Sequence, residues 1–464
     1  MDENFRDKVS TVDKEGRRIW IYPKKPAGPL TTARGIVSIV LLVFLMLAPF
    51  IRINGQPLLL FDILERRFVI LGMVFWPQDF YLFVLATLAF VVFIVLFTVV
   101  FGRLWCGWAC PQTIFMEMVF RRVEYWIEGD SRRQIELNRS PWTSAKIFKK
   151  GLKHLIFYGI SFIIGNTFLA YLIGTDRLIG IITDPPEKHI VGLVIMVMFS
   201  AVFYWVFAFF REQVCSMVCP YGRLQGVLLD PNSIVVAYDF NRGEPRGKLQ
   251  RGKMDRSGGD CIDCHQCVEV CPTGIDIRNG TQLECINCTA CIDACNTVMK
   301  KVQRPSGLIR YASYNGIRSG QSFRFTPRTI GYTAVFFMLF TLTMVLLLSR
   351  KPIDITILRT PGMMYQQTED GYMSNLYNLK VINKTYDDRT IDIRLKSPEG
   401  RIKLVGGKLH ISKNNILQSA FFIELPGENV RLVRTPVFLD IYSDDQLIGE
   451  ITTSFIGPEL HKKP

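Results

Sequence analysis

The sequence predicts a multidomain membrane protein that combines a bundle of five apolar helices with a cysteine-rich segment and a C-terminal domain made only of β-strands. Three observations lead to this fold class. Apolar residues concentrate in five windows, eight of the twelve cysteines lie in one segment, and polar and apolar residues alternate in short runs after Pro352. The 464 residues are 49% hydrophobic and carry a formal charge of +14, which is an unusual combination for a soluble chain.

The five windows are each long enough to form a transmembrane helix. A helix needs about 20 mostly apolar residues to cross the hydrocarbon core of a bilayer, and none of the windows has an ionisable residue at its centre. They comprise residues 35–51, 80–101, 155–173, 191–210 and 329–349. The predicted organisation is a basic arm (1–34), four transmembrane helices (35–230), a cysteine-rich segment (231–328), the fifth helix (329–349) and a β domain (350–464).

The distribution of lysine and arginine predicts the orientation of these helices. Basic residues crowd the arm before the first window and the loop after the second, whereas acids balance them in the loops after the first and third. Loops rich in lysine and arginine stay in the cytoplasm. We therefore expect the arm and the cysteine-rich segment inside, and the β domain outside. The positive charge then reflects topology and contact with anionic lipid, and gives no reason to expect nucleic acid as a partner.

All twelve cysteines fall into four groups, and none lies in the predicted outside domain. Cysteines of a reducing compartment are more often metal or redox ligands than disulfides. Two groups have the spacing C-x2-C-x2-C-x3-C, which is typical of bacterial ferredoxins with two [4Fe-4S] clusters, where the fourth cysteine of each run binds the other cluster. The predicted ligands are Cys261, Cys264, Cys267 and Cys295 for one cluster, and Cys285, Cys288, Cys291 and Cys271 for the other. Zinc is the disfavoured alternative, because zinc sites usually combine two pairs of ligands.

The other two groups read C-x3-C-P and follow the second and fourth windows. They are Cys106 with Cys110, and Cys215 with Cys219. A spacing of four places both thiols on one helical face, too far apart for an unstrained disulfide but suitable for sharing a metal. If the two motifs pack together, four thiolates meet at one membrane face, where copper, another iron-sulfur centre and another metal all remain open. Buried cysteines that serve only packing are the plain alternative.

The proline of each motif is well suited to opening a helix. Cys110 and Cys219 are therefore predicted at helix N-caps. We expect residues 112–127 to form an amphipathic helix at the membrane interface, with Arg121 and Arg122 on its polar side.

The C-terminal region predicts an immunoglobulin-like sandwich. Short alternating runs separated by turn signals are typical of this architecture. The predicted strands are residues 379–382, 390–395, 402–405, 409–412, 420–425, 437–442 and 449–455. The region has no cysteine and no clear catalytic set, so we interpret it as a docking module or a stabilising cap.

Four stretches resemble the cytochrome c oxidase accessory proteins called CcoG, FixG or RdxA. They are residues 18–24 (RIWIYPK), 102–113 (GRLWCGWACPQT), 211–221 (REQVCSMVCPY) and the double ferredoxin run. The resemblance covers nearly the whole chain, including the five spans and an Ig-like C-terminal domain. It implies a protein of the bacterial cytoplasmic membrane, with its C-terminal domain in the periplasm, that helps to build the cbb3-type oxidase.

The same resemblance implies a cupric reductase that converts Cu(II) to Cu(I), with Cys106, Cys110, Cys215 and Cys219 as candidate catalytic thiols and copper ligands. Implied partners are a cytoplasmic electron donor (a flavodoxin or ferredoxin-like protein, or a reductase), copper ions and copper-handling assembly factors of the oxidase; a homodimer is compatible with the sequence. Two alternatives from other functional classes stay open. They are a quinol-linked polyferredoxin electron carrier and a non-catalytic oxidase assembly scaffold.

Overall fold

The computed structural model describes residues 11–13, 15–248, 258–320, 326–362, 364–430 and 433–458. The chain divides into two compact units. The first consists of Met1–Ile53, Pro57–Leu71 and Asp79–Thr343, and the second of Asn54–Gln56, Gly72–Gln78 and Met344–Pro464.

Among the described residues, five helices are long and apolar enough to cross a membrane, which confirms the predicted number of apolar helices. They are Pro29–Leu47, Phe80–Phe101, Ser144–Ile173, Ile190–Trp205 and Pro327–Leu348. The fourth continues through a π-helical turn at Val206–Phe210. At most 33% of the most apolar stretch of any of them is buried within the chain, so most of their apolar surface faces outward, as lipid contact requires.

Two of these helices start well before the windows that predicted them. The first begins at Pro29, so Arg34 belongs to the helix rather than to the arm, and its side chain is buried. The third begins at Ser144, where the Thr143 hydroxyl accepts a hydrogen bond from the backbone N–H of Lys146. Hydropathy alone missed both starts because polar side chains can be included in a helix when other elements cover them.

Short helices follow the second and fourth apolar helices and carry the C-x3-C-P motifs. After the second come Leu104–Trp108, Pro111–Ile114, a π-helical segment Phe115–Phe120, Arg121–Ile127 and Ser131–Arg139. After the fourth come a π-helical turn Val214–Val218 and the helix Pro220–Leu228. Cys110 and Cys219 are the N-cap residues of the helices that open at Pro111 and Pro220, as predicted.

The expected position of Arg121 on the polar side of its helix is wrong. Its side chain is only 2% exposed, whereas Arg122 is exposed as expected. Arg121 Nε donates to Glu117 at 3.0 Å, and Arg121 Nη2 lies 3.8 Å from Glu212. These carboxylates, one of which comes from a distant part of the chain, compensate the buried charge.

The basic arm packs against the rest of the first unit. Its backbone at Lys24 donates a hydrogen bond to the carbonyl of Glu269, and Lys24 Nζ donates to Gln266. On the other side, the carbonyl of Tyr22 accepts a hydrogen bond from Ser131. The arm thus connects the cysteine-rich segment with the helices that follow the first motif.

The cysteine-rich segment is enclosed by two antiparallel strands, Val235–Tyr238 and Ile309–Ala312, which the sequence did not predict. Between and after them lie the helices Phe240–Gly243, Gln266–Glu269, Ala290–Lys301 and Tyr314–Ser319. Its core contains Ile275, Ile277, Ile292 and Met299 beside several of the cysteines. The first unit also has a hairpin of Leu59–Asp62 with Arg67–Ile70, and a helix Thr175–Thr183.

The second unit contains a sandwich of two antiparallel sheets, which confirms the predicted Ig-like architecture. One sheet has the order Arg401–Val405, Ile416–Pro426, Tyr372–Asn383 and Ile353–Arg359, with Gln366–Gln367 also pairing to Tyr372–Asn383. The other has the order Leu409–Ile411, Arg389–Ser397, Arg434–Ser443 and Gln446–Ile456. All seven predicted strands are present, and Ile353–Arg359 and Gln366–Gln367 are additional. The Tyr377 hydroxyl, on the first sheet, donates to the carbonyl of Ser454 on the second.

Candidate metal centres

The eight cysteines of the two ferredoxin runs form two groups of four. Cys261, Cys264, Cys267 and Cys295 line one cavity, which we call the first thiol group. Cys271, Cys285, Cys288 and Cys291 line another, which we call the second thiol group, and Cys267 lies at its edge. The last cysteine of each run therefore lies with the first three of the other run. This is the crossed arrangement that the spacing predicts for two [4Fe-4S] clusters.

Both runs use the same backbone conformation to wrap around their cavities. The residues on either side of the middle cysteine adopt left-handed conformations, Asp263 and His265 around Cys264, and Asn287 and Thr289 around Cys288, with φ between 53° and 66°. Such conformations are unfavourable for residues other than glycine. Their repetition in both runs indicates that the turns are required to direct successive thiols toward one point.

The surroundings of the second thiol group fit an anionic metal cluster. Burial raises the pKa of the Cys288 thiol to about 11, while the positive charge of Arg34 acts in the opposite direction. Arg34 Nη2 and Asn287 Nδ2 are buried N–H groups without a hydrogen-bond acceptor among the described residues. Buried donors of this kind need an acceptor, and a cluster held by four thiolates supplies negative charge at this place.

The two C-x3-C-P motifs also come together, which is the condition under which the sequence places four thiols at one site. Cys106 lies in the electrostatic range of Cys110 and Cys219, and Cys215 in that of Cys110, Cys106 and Cys219; we call these four residues the motif thiols. Burial, reinforced by the neighbouring Cys110 thiol, raises the pKa of both Cys106 and Cys215 to about 12. Cys106 Sγ donates to Gln225 Oε1 at 3.1 Å.

All twelve cysteines are free thiols. Within the described ranges, no group of three or more His, Cys, Asp or Glu side chains has an arrangement that could hold a single metal ion. The cysteines of the two ferredoxin groups are no exception, because they are expected to surround an iron-sulfur cluster, which is larger than one ion.

The first motif lies directly beside the second thiol group. The Cys106 side chain packs against the small apolar cluster formed by Val270, Ile286, Cys288 and Ala290. The buried Arg34 guanidinium donates through Nε to the carbonyl of Gly107 at 2.7 Å. One arginine thus contacts the first motif and also acts on a cysteine of the second thiol group.

A buried ionic network surrounds the helices that follow the motifs. Arg211 and Lys153 pair with Glu124, Lys153 and Lys150 pair with Glu128, and Arg18 pairs with Glu212. Burial opposes ionisation of Glu124, but the nearby positive charges, that of Arg211 above all, lower its pKa. The network fixes the end of the fourth apolar helix to the helix after the first motif.

Sequence reasoning missed several residues of this site, notably Arg34, Gly107, Gln225 and Tyr311. The sequence carried a signal for two of these residues. Arg34 stands at the edge of an apolar window, and Gly107 interrupts a short helical motif between two cysteines. Neither signal shows which part of the chain the residue contacts.

Family models match three parts of the chain. A 4Fe-4S dicluster domain matches residues 210–314, and a 4Fe-4S binding domain matches residues 83–134, which include Cys106 and Cys110. A model described as the IG-like fold at the C-terminal of FixG, putative oxidoreductase, matches residues 343–458.

Three curated proteins are similar over most of their length. Protein RdxA of Cereibacter sphaeroides is 35% identical, covering 82% of this chain and 83% of that protein. Protein RdxB of the same organism is 36% identical, covering 84% of each. Nitrogen fixation protein FixG of Rhizobium meliloti is 33% identical, covering 84% of this chain and 82% of that protein.

Five apolar helices, a dicluster ferredoxin segment and an Ig-like domain define a membrane-bound iron-sulfur electron-transfer protein. Within that class, the chain belongs to the FixG/RdxA family, as the resemblance of its motifs predicted. The conclusion rests on identity of 33% to 36% over more than four fifths of the chain.

Proposed function

We propose that this protein is a cupric reductase that converts Cu(II) to Cu(I) at the motif thiols, for the copper centre of a cbb3-type cytochrome c oxidase. The observation that carries the proposal is the packing of Cys106, one of the four motif thiols, against the cluster that contains Cys288 of the second thiol group. A set of soft ligands beside an electron-transfer module is suited to reducing a soft metal ion.

The chemistry of the motif thiols favours reduction of Cu(II) to Cu(I). Each [4Fe-4S] cluster supplies one electron at a time. Thiolates bind Cu(I) more strongly than Cu(II), so the four cysteines stabilise the product of the reduction. Cu(II) takes up one electron to give Cu(I), and no proton is exchanged with the ion. The motif thiols must lose protons to bind the ion, since burial keeps Cys106 and Cys215 protonated in its absence.

The proposed setting follows from the charge distribution. The arm and the ferredoxin segment lie in the cytoplasm, where a flavodoxin or ferredoxin-like protein or a reductase donates electrons. The Ig-like domain lies in the periplasm of a bacterial cell, and copper-handling assembly factors receive Cu(I). The excess of lysine and arginine in the arm and in the loop after the second helix supports this orientation.

A second candidate for the motif thiols is a further iron-sulfur cluster, so that the protein passes electrons onward without reducing copper. The specific support is the match of a 4Fe-4S binding domain over residues that include Cys106 and Cys110. Arg103, which precedes Cys106 by three residues, has a buried Nε donor without an acceptor among the described residues.

The test uses the purified full-length chain with chemically reduced clusters under anaerobic conditions. Cu(II) is added, and Cu(I) is followed with a chromogenic chelator while the cluster absorbance is recorded. Replacing the four motif thiols by serine together is expected to lower the rate at least tenfold while the ferredoxin iron, about eight atoms per chain, is retained. An unchanged rate would overturn the proposed site.

Iron counting distinguishes the two candidates. About twelve iron atoms per chain in the wild type and about eight in the serine variant would favour the further cluster. Reduction of the clusters by quinol would indicate an electron carrier of the quinol-linked type. Clusters that cannot be reversibly reduced would indicate a scaffold.

A further inference from the structure

We propose that the two C-x3-C-P motifs have different roles. The first motif, through Cys106-Gly107-Trp108, is the side on which electrons arrive, and the second motif, through Cys215 and Ser216, is the side that the metal ion approaches. This inference rests on the proposed reduction of a metal ion at the motif thiols. It adds which motif receives the electrons and which motif receives the ion.

The first motif touches the ferredoxin segment without intervening space. A Cβ atom added at Gly107 would lie 2.4 Å from the carbonyl oxygen of Ile286 and 2.8 Å from that of Asn287. Both oxygens belong to the backbone of the turn between Cys285 and Cys288, which cannot move aside as a flexible side chain could. Glycine at this position therefore allows the closest approach of the motif to the second thiol group.

Hydrogen bonds on two sides hold the first motif against the ferredoxin segment. Arg34 Nε donates to the carbonyl of Gly107 at 2.7 Å from one side. On the other, Trp108 Nε1 donates to the Tyr311 hydroxyl at 3.1 Å, and that hydroxyl donates to the carbonyl of Asn287 at 3.3 Å. Tyr311 thus connects the residue after Gly107 to the same turn that Gly107 touches. Gly107, Arg34 and Tyr311 are positioning residues. They act through the cysteines of the first motif and of the second thiol group, which lie on the two sides of this contact.

The second motif faces the ferredoxin segment across a small cavity. Ser216 occupies the place that Gly107 has in the first motif. Ser216 and Cys215 line a cavity whose opposite wall includes Thr273 and Ile286. The exposed Leu283 and the buried Arg103 also line this cavity. Cys215 therefore borders a cavity, whereas a peptide turn covers Gly107.

The second motif also borders groups that metal ions use. A second cavity, which shares Cys215 and Glu212 with the first, is also lined by Met116 and Glu117. Both carboxylates are paired with Arg121, Glu117 Oε1 at 3.0 Å and the buried Glu212 Oε2 at 3.8 Å. Carboxylate oxygen suits Cu(II), while thioether and thiolate sulfur suit Cu(I). An ion that enters this cavity would thus meet the sulfur atoms of Cys215 and Met116 beside carboxylates that Arg121 already pairs.

The first experiment separates the two roles kinetically. Gly107→Ala is expected to lower kcat for Cu(II) reduction at least tenfold with KM unchanged, because the motif is pushed away from the second thiol group. Gly180→Ala is the matched control, since a Cβ there meets nothing within 4 Å, and it should behave as the wild type. Ser216→Leu fills the cavity and is expected to raise KM at least threefold. Equal effects of Gly107→Ala and Ser216→Leu on KM and kcat would contradict the division.

The second experiment does not depend on copper reduction. The full-length chain with intact ferredoxin clusters is treated with a small maleimide, and labelled peptides are quantified over time. Cys215 is expected to react at least fivefold faster than Cys106, and Ser216→Leu should remove that difference. Faster labelling of Cys106, or labelling of neither thiol, would overturn the inference. If the labelling order holds while the wild type reduces no Cu(II), the proposed function fails and the orientation of the two motifs stands.

Discussion

Asp293 accepts two hydrogen bonds from Thr31, one from its backbone N–H and one from its hydroxyl, both at 2.7 Å. Asp293 lies on the helix Ala290–Lys301, which carries Cys291 and Cys295, and Thr31 lies in the first turn of the first apolar helix. A carboxylate of the ferredoxin segment thus caps the N-terminus of an apolar helix, where unpaired N–H groups favour negative charge.

Asp293→Ala is expected to destabilise the first unit by about 1–3 kcal/mol, since it leaves buried N–H groups without an acceptor. Thermal unfolding of the purified chain measures the effect, and limited proteolysis should show earlier cleavage of the ferredoxin segment. Asp176→Ala serves as the control, because the Asp176 side chain is 78% exposed and its loss should change stability by less than about 0.5 kcal/mol. Equal stability of the two variants would contradict the capping role.

Crossed ligation predicts which cluster each run-ending cysteine affects. Cys295→Ser should perturb the cluster at Cys261, Cys264 and Cys267, although Cys295 belongs to the other run. Cys271→Ser should perturb the cluster at Cys285, Cys288 and Cys291. Each variant is expected to alter one of the two EPR signals of the reduced protein and to leave the other. A Cys295→Ser variant in which both signals keep the wild-type form would argue against the crossed arrangement.

Arg34→Met is expected to lower the reduction potential of the cluster at the second thiol group, because Arg34 places a buried positive charge near Cys288. A positive charge stabilises the more negative reduced state, by roughly tens of millivolts for a partly screened interaction. EPR-monitored redox titration gives the value. Arg34→Lys keeps the charge and should shift the potential less. Identical potentials in both variants would show that the charge of Arg34 does not reach the cluster.

The pair of Glu124 and Arg211 allows a double-mutant test of the buried network. Glu124→Gln leaves the buried Arg211 without its carboxylate, while Lys153 keeps Glu128, and is expected to cost about 3–5 kcal/mol. Adding Arg211→Met should recover part of this loss, because fewer unpaired charges remain buried. Asp392→Asn removes a pair with Arg394 that is more than half exposed and should cost less than about 1 kcal/mol. Additive losses in the double variant would mean that the two residues do not interact.

Local features of the sequence were sufficient for the elements. The length of each apolar window predicted the five helices, since the bilayer sets that length. The alternation of residues predicted the sandwich strands from 379–382 to 449–455, because successive side chains of a strand point to opposite faces. The strand Ile353–Arg359 was not predicted because it follows the last apolar helix with little turn signal. The two strands around the ferredoxin segment were not predicted because each has only four residues.

The placement of charged residues was the weakest part of the prediction. Arg121 and Arg34 were assigned to polar surroundings, yet both are buried. An arginine can be buried when carboxylates or carbonyls compensate it, and those partners, Glu212 for Arg121 and the carbonyl of Gly107 for Arg34, are far away in the sequence. No local pattern contains them.

The sequence by itself determined the ligand types, because cysteine spacing is a property of short segments. Two runs of C-x2-C-x2-C-x3-C predict two iron-sulfur groups, and two C-x3-C-P motifs predict paired thiols at helix ends. Only the tertiary structure decided that the first motif touches the second thiol group through Gly107 while Cys215 faces a cavity. Contact depends on which surfaces pack against each other, and two motifs with the same spacing acquire different neighbours once the chain is folded.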